Sequence, residues 1–224
     1  MAVACGSAHA GLFTQRFADL NLTVPDGSTT GVSDTRWLSP GSGVIANVEV
    51  SLELEGGYTG DLYALLMHDG NSAVLLNRLG RSDSDPLGYA DSGLNVVFSD
   101  AAPSDVHRYR WTIGGSDDVP LGTPLTGLWQ PDARRTDPDQ VVPSTPRSAF
   151  LDTFRGKSGT GDWTLFVADL SPVGESVLKS WSLSITSVPE PRSMLITCVC
   201  LGLARFGIRL QRGRKSSTES GARR

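Results

Sequence analysis

The central part of this chain contains no cysteine. The three cysteines, Cys5, Cys198 and Cys200, all lie near its ends. Residues 6–197 therefore can form neither a disulfide framework nor a cysteine-based metal site among themselves. Cysteine usage leaves the cellular compartment open.

Basic residues are scarce before Arg192. The chain has 20 Lys and Arg against 24 Asp and Glu, a net charge of −4, but eight of the basic residues and only one acid lie from Arg192 onward. The body thus carries 12 basic and 23 acidic residues. Phosphate contacts need clustered Lys and Arg, so the sequence predicts no nucleic-acid partner. The basic tail is typical of a topological signal beside a membrane.

Aromatic residues are also few, at 7%, whereas the 224 residues include 25 Gly and 13 Pro. This composition favours many turns over long helices. The length allows one β domain with a sizeable core, plus appendages.

Two alternating runs lie towards the end of the body. Residues 163–167 and 177–185 each place every second side chain on one face, with Trp163 or Trp181 among aliphatic residues. Such period-two alternation predicts half-buried strands. Because the segment between them is rich in Asp, Pro and Gly, we expect these strands to form an antiparallel pair.

Other apolar runs predict further short strands separated by turns. They cover residues 44–54, 62–67, 73–79, 94–98, 107–111 and 148–154, with one or two edge strands within 16–43. Residues 114–148 contain six prolines and little periodicity, which predicts a long loop of the kind that is often functional. Together these features predict an all-β sandwich or barrel.

Two motifs carry a family resemblance. The turn Gly57-Tyr58-Thr59-Gly60-Asp61-Leu62, and GDWTLFVAD followed by LKSWSLSI about a hundred residues later, resemble the P domain (P/Homo B domain). That module accompanies subtilisin-like proprotein convertases and also occurs without a protease. The resemblance implies a jelly-roll-like antiparallel β-sandwich, here over residues 11–187.

The C-terminal segment resembles a PEP-CTERM sorting signal over residues 188–215. Its motif is Val188, Pro189, Glu190 and Pro191, and its basic cluster is Arg205, Arg209, Arg212, Arg214 and Lys215. Between them lies an apolar stretch, residues 194–204, that predicts a short hydrophobic helix. The resemblance implies cleavage by an exosortase-type enzyme, transient membrane anchoring and a Gram-negative envelope or extracellular destination.

The apolar stretch of the sorting segment is shorter than a helix that spans a membrane. Eleven helical residues span about 16 Å, against a hydrocarbon core of about 30 Å.

Residues 216–224 are expected to be a disordered tail. At the other end, residues 1–10 finish in Ala8-His9-Ala10, a signal-peptidase pattern, and are interpreted as a truncated signal peptide or as a disordered tail.

The sequence predicts no enzyme. Its histidines, His9, His68 and His107, lie outside recognisable catalytic motifs, and G-x-S-x-G is absent. A subtilisin-type triad needs Asp, His and Ser together. The leading hypothesis is therefore a non-catalytic exported interaction or matrix protein. The alternatives are an accessory or fragment of a subtilisin-like serine endopeptidase, and a carbohydrate-binding module.

The aspartates in turns allow a Ca²⁺ site, although the sequence does not identify its ligands, and no other cofactor is expected. The candidates are Asp61, Asp83, Asp85, Asp117, Asp118, Asp132, Asp137, Asp139 and Asp169. No D-x-D-x-D-G loop is present, and turn aspartates commonly accept backbone N–H bonds instead.

Two tryptophans in Gly/Pro-rich surroundings are candidates for ligand contact. Trp129, and secondarily Trp37, can stack on a sugar of an exopolysaccharide if exposed, whereas a buried Trp129 would fasten the long loop to the sandwich. Trp163 and Trp181 are expected in the core.

Overall fold

The computed structural model describes residues 10–189. The strands are β1 Gly11–Phe17, β2 Leu22–Val24, β3 Ser28–Leu38, β4 Val44–Gly56, β5 Leu62–His68, β6 Asn71–Asn77, β7 Leu94–Ser99, β8 Leu125–Trp129, β9 Gly161–Asp169 and β10 Ser176–Val188. The helical elements are a 3₁₀ turn at Val106–Arg108, the helix α1 at Tyr109–Gly114 and a second 3₁₀ turn at Leu151–Phe154.

The strands form two sheets around one core, which confirms the predicted all-β sandwich. One sheet has the order β1-β10-β4-β7-β8, with β2 also paired to β10, and the other has the order β3-β9-β5-β6. Neighbouring strands are antiparallel except β7 and β8, which are parallel. The alternation of residues 44–54 corresponds to β4, where Val48, Val50 and Leu52 are buried.

The two closing strands do not pair with each other, so the expected antiparallel pair is wrong. β9 lies between β3 and β5 in one sheet, whereas β10 lies between β1 and β4 in the other. The intervening turn carries the chain from one sheet to the other. Alternation specifies which face of a strand is buried but not which strand pairs with it.

Both closing tryptophans nevertheless lie in the core, as predicted. Trp163 and Trp181 are fully buried or nearly so. Trp163 donates its indole N–H to the carbonyl of Gly159 at 2.9 Å. Trp181 donates to the Asp34 carboxylate at 2.7 Å, which joins β10 to β3 across the sandwich. Each buried indole donor is therefore satisfied.

Two predicted strands are helical turns instead. Residues 107–111 fall in the 3₁₀ turn and α1, because the Asp105 carboxylate accepts the His107 N–H at 2.9 Å and Gly115 ends α1 in a left-handed conformation. Residues 148–154 contain the second 3₁₀ turn rather than a strand. In both places a few apolar residues imitate alternation over too short a length.

The long loop, residues 114–148, contains β8 and is fastened to the rest of the domain by arginines. Arg78 donates to Asp139 at 2.8 Å, and Arg81 donates to the Val141 carbonyl at 2.7 Å. The backbone N–H groups of Asp132 and Ala133 donate to carbonyls of β6. Polar contacts at this edge thus order a segment that has little apolar periodicity.

The terminal predictions fall mostly outside the described residues. Val188 ends β10 opposite Val44, and Pro189 follows it. The leader at 1–9, the C-terminal helix and the basic cluster from Arg205 to Lys215 all lie beyond the part of the chain that the structure describes. Within residues 10–189, no helix is both long and apolar enough to cross a membrane.

Asp169 is a carboxylate buried at one end of the sandwich. It is fully buried, it accepts from the Ser176 hydroxyl at 2.9 Å, and its second oxygen has no hydrogen-bond partner among the described residues. Burial raises the pKa of Asp169 to about 6; the Ser176 bond opposes this rise, and the nearby charges of Asp61 and Asp26 add to it. The folded state therefore holds a proton that the unfolded chain releases near its ordinary pKa of 3.8.

This proton predicts a specific pH dependence of stability. Between the two pKa values the folded state binds more protons than the unfolded state, so the contribution of Asp169 to stability falls as pH rises through this window. Asp169→Asn removes the effect. We expect the free energy of unfolding of the variant, relative to that of the wild type, to rise by on the order of 2 kcal/mol between about pH 4 and about pH 7.

The measurement is urea unfolding of both chains across this range. Asp162→Asn is the matched control, since Asp162 lies on the same strand with an exposed side chain. Parallel pH profiles for wild type and Asp169→Asn would contradict the assignment.

Candidate functional site

A buried ionic cluster joins the long loop to the first 3₁₀ turn. His107 Nδ1 lies 2.7 Å from Asp132 Oδ2, and both side chains are completely buried. Arg134 contacts Asp132 at 3.3 Å and donates to Asp105 at 2.7 Å. Burial alone would lower the pKa of Arg134, but the carboxylates of Asp105 and Asp132 outweigh this and raise it. The cluster of His107, Asp132, Arg134 and Asp105 therefore keeps its charges paired within the protein.

The elements that hold this cluster also fix the segments beside it. The carbonyl of His107 accepts from the Gly80 N–H at 2.8 Å, and the second ring nitrogen of His107 lies 3.0 Å from the Arg81 carbonyl. α1 begins directly after this 3₁₀ turn. The turn after β6 and the start of α1 are thus held together, and a surface pocket lies between them.

Neither described histidine is placed for acid–base catalysis. The ring nitrogens of His107 face Asp132 and the Arg81 carbonyl. Those of His68 lie 2.9 and 2.8 Å from the carbonyls of Asp162 and Ser158, and its ring stacks on Trp163. A general base must reach the proton of a nucleophile. Within residues 10–189, no histidine nitrogen is left open towards a serine or cysteine.

The pocket has a volume of about 220 Å³ and combines one indole with charged and hydroxyl groups. We call it the Trp111 pocket. Its functional lining consists of Trp111, Arg108, Ser84, Asp85, Asp117 and Asp118. Trp111 is 53% exposed, although its neighbours on α1, Tyr109 and Arg110, are buried. A large exposed indole on an anchored helix is an arrangement typical of a binding surface.

Arg108 and Asp117 pair within this pocket. The Arg108 guanidinium lies 4.8 Å from the centre of the Trp111 ring, and its Nε donates to Asp117 at 3.2 Å. The Tyr89 hydroxyl donates to the other Asp117 oxygen. Burial would raise the pKa of Asp117, but the bonds from Arg108 and Tyr89 outweigh it and lower that pKa. Asp117 is therefore an ionised orienting group for Arg108.

A larger groove lies over β4 and β7. Its volume is about 500 Å³, and its lining includes Glu53, Glu55, Asn95 and Lys179 but no aromatic side chain. It is open, and its hydrogen-bonding side chains, which include Ser92, Asn95, Thr123 and Thr126, surround no aromatic ring. The Trp111 pocket is the better candidate because it places hydrogen-bonding groups around an exposed indole.

The predicted ligand contact at Trp129 lies inside the protein. Trp129 is only 6% exposed, and its indole N–H donates to the Thr126 carbonyl at 2.9 Å. The ring packs edge-on against Tyr109. Its position matches the alternative in which it fastens the loop. Trp37 is 66% exposed but lies on β3, outside the Trp111 pocket.

The candidate aspartates separate into several groups. Asp85, Asp117 and Asp118 line the Trp111 pocket, Asp132 lies in the ionic cluster, and Asp139 pairs with Arg78. The remaining candidates are Asp61 and Asp169, which are buried, and Asp83 and Asp137, which are exposed. Across residues 10–189, no group of three or more His, Cys, Asp or Glu side chains is arranged to hold a metal ion.

Sequence reasoning missed Trp111 because it placed that residue on a strand. Tyr109 and Trp111 were expected to share a face, whereas α1 buries one and exposes the other. The Asp105 cap and the Gly114-Gly115 pair were the available signs of a short helix.

The ionic cluster makes a testable contribution to stability. Asp132→Ala removes the side-chain partner of the buried His107 and one of the two carboxylates beside Arg134, and we expect a loss of about 3 kcal/mol in the free energy of unfolding. Denaturant unfolding measures it. Asp83→Ala, at an exposed position, should change stability by less than about 0.5 kcal/mol. Equal effects of the two substitutions would show that the cluster does not stabilise the fold.

Comparison with known proteins gives only distant structural similarity. No protein-family model matches the chain, and no curated protein matches it. The serine protease of Aeromonas sobria is 15% identical, with a TM-score of 0.44 over 80% of this chain and 27% of that chain. The same protease in complex with its chaperone ORF2 gives 14% identity and a TM-score of 0.44 over 81% and 28%. This chain thus spans little more than a quarter of those chains, and its function must be inferred from its own site.

Proposed function

We propose that this chain is a non-catalytic binding module of the cell envelope or extracellular matrix that takes its ligand in the Trp111 pocket. The observation that carries the proposal is the pocket itself, an exposed indole surrounded by partly unpaired polar groups. The occupied nitrogens of His68 and His107 favour binding over hydrolysis.

Export is the second part of the proposal. It rests on the resemblance of residues 188–215 to a PEP-CTERM signal, with an exosortase-type enzyme as the processing partner and the membrane as a transient anchor. β10 ends at Val188, so the sorting motif begins at the last residue of the last described strand. Cleavage at Pro189–Pro191 would therefore release an intact sandwich.

Binding through the pocket is tested by retention on surface material. The full chain is mixed with the washed envelope and matrix fraction of its native host, and the sedimented amount is measured. We expect Trp111→Ala to reduce retention about tenfold, since it removes the exposed indole. Trp37→Ala is the matched control because Trp37 is also a largely exposed tryptophan but lies outside the pocket. Equal retention of both variants and wild type would exclude the pocket.

Sorting is tested by intact mass after cell fractionation of the native host. We expect a surface or medium form that has lost the residues after the Pro-Glu-Pro motif and the first ten residues. A full-length 23.8 kDa chain in the cytosol would overturn the export proposal. This result would not bear on the binding proposal, which the retention experiment tests.

A further inference from the structure

We infer that the Trp111 pocket binds an uncharged sugar unit of a polysaccharide. This inference names the ligand class of the proposed binding site and so rests on the proposed function. Four properties of the pocket carry it: its size, the anchoring of the helix that presents its indole, its charge pattern and its hydrogen-bonding groups.

The size of the pocket restricts the ligand to a small group. Its volume of about 220 Å³ lies below the roughly 300–1,000 Å³ of sites for drug-sized molecules. A single six-membered sugar ring fits a space of this order, and the open side lets the rest of a chain continue into solvent. A folded protein partner would need a much broader surface than this pocket offers.

The residues directly before Trp111 are anchored in the domain. Tyr109 is completely buried, and its hydroxyl donates to Asp91 at 2.7 Å. Arg110, which directly precedes Trp111, donates to the same carboxylate at 2.7 Å. Trp111 is therefore presented by a helix whose neighbouring residues are locked, which lowers the entropic cost of binding. A flat indole suits the C–H face of a pyranose ring.

The charges disfavour anionic ligands, and the cation–π position beside the indole is already occupied. Asp85, Asp117 and Asp118 repel carboxylate, sulfate or phosphate groups. The Arg108 guanidinium already occupies a cation–π position 4.8 Å from the Trp111 ring centre, and it repels a second cation there. An uncharged ligand avoids both penalties.

The polar groups of the pocket match hydroxyls, which both donate and accept. Arg108 directs Nε and Nη2 to Asp117, and its Nη1 donates to no protein atom in the described part of the chain. The Asp118 carboxylate likewise accepts no bond from residues 10–189, and Ser84 adds an exposed hydroxyl. Donors and acceptors thus converge around one apolar surface.

The test is affinity electrophoresis of the full chain in native gels. The gels contain one of four neutral polysaccharides (dextran, galactomannan, xyloglucan or hydroxyethyl cellulose), the anionic alginate, or the cationic glycol chitosan. We expect at least one neutral polymer to slow the wild type, and neither charged polymer to do so. Trp111→Ala should raise the dissociation constant about tenfold, Trp111→Phe less, and Trp37→Ala not at all.

Each outcome separates this inference from the proposed function. Retardation by alginate or glycol chitosan alone, if abolished by Trp111→Ala, overturns the neutral ligand but supports a binding pocket. If Trp111→Ala is slowed as much as the wild type, the inference is overturned. It is also overturned if none of the four neutral polysaccharides slows the wild type. If the inference is overturned but the envelope fraction retains the wild type more strongly than Trp111→Ala, the proposed binding function is kept and only the neutral sugar ligand is excluded. Thermal unfolding of each variant confirms that the fold is kept.

Discussion

The pairing of His107 with Asp132 is the contact on which the loop-bearing edge of this protein depends. A buried carboxylate without partners is costly, and here it is matched by a histidine and an arginine that are buried as well. Asp132 and Arg134 both lie in the long loop, whereas His107 lies in the first 3₁₀ turn, so the His107–Asp132 contact forms only when the loop closes on the sandwich. The cluster therefore ties the order of the loop to the order of α1.

This coupling explains how a segment poor in apolar residues is ordered. Residues 114–148 lack the alternation that fastens β4 or β9, and arginine contacts replace it. Arg147, for example, donates to the carbonyls of Asp132 and Pro131 and to the side chain of Gln130. Hydrogen bonds to backbone carbonyls have strict geometry. They give the loop a definite path, and the Trp111 pocket is formed beside it.

The sequence allowed prediction of the part of the fold that depends on local periodicity. The strand at 44–54 and the burial of Trp163 and Trp181 follow from side chains alternating about a single strand. The placement of β9 and β10 in different sheets does not, because pairing is decided by contacts between residues far apart. The parallel strand β8 was hidden for the same reason, since its pairing with β7 has no local pattern.

The candidate site was harder to predict than the fold. Trp129 and Trp37 were noticed because Gly and Pro surround them, yet composition does not tell whether an indole points inward or outward. Trp111 faces solvent only because Tyr109 and Arg110 are held by Asp91, a residue about twenty positions earlier. Such side-chain networks are set by tertiary structure, which single-sequence reasoning does not supply.

The position of β10 has a mechanical consequence. This strand carries the end of the described domain, and it is bonded to β4 along its length on one side and to β1 and β2 on the other. A pull applied at Val188 along the strand acts parallel to β10 and shears many ladder bonds at once, rather than opening them one at a time. A domain held at a surface by its C-terminal end would therefore resist drag, because the load falls on its most extensively paired strand.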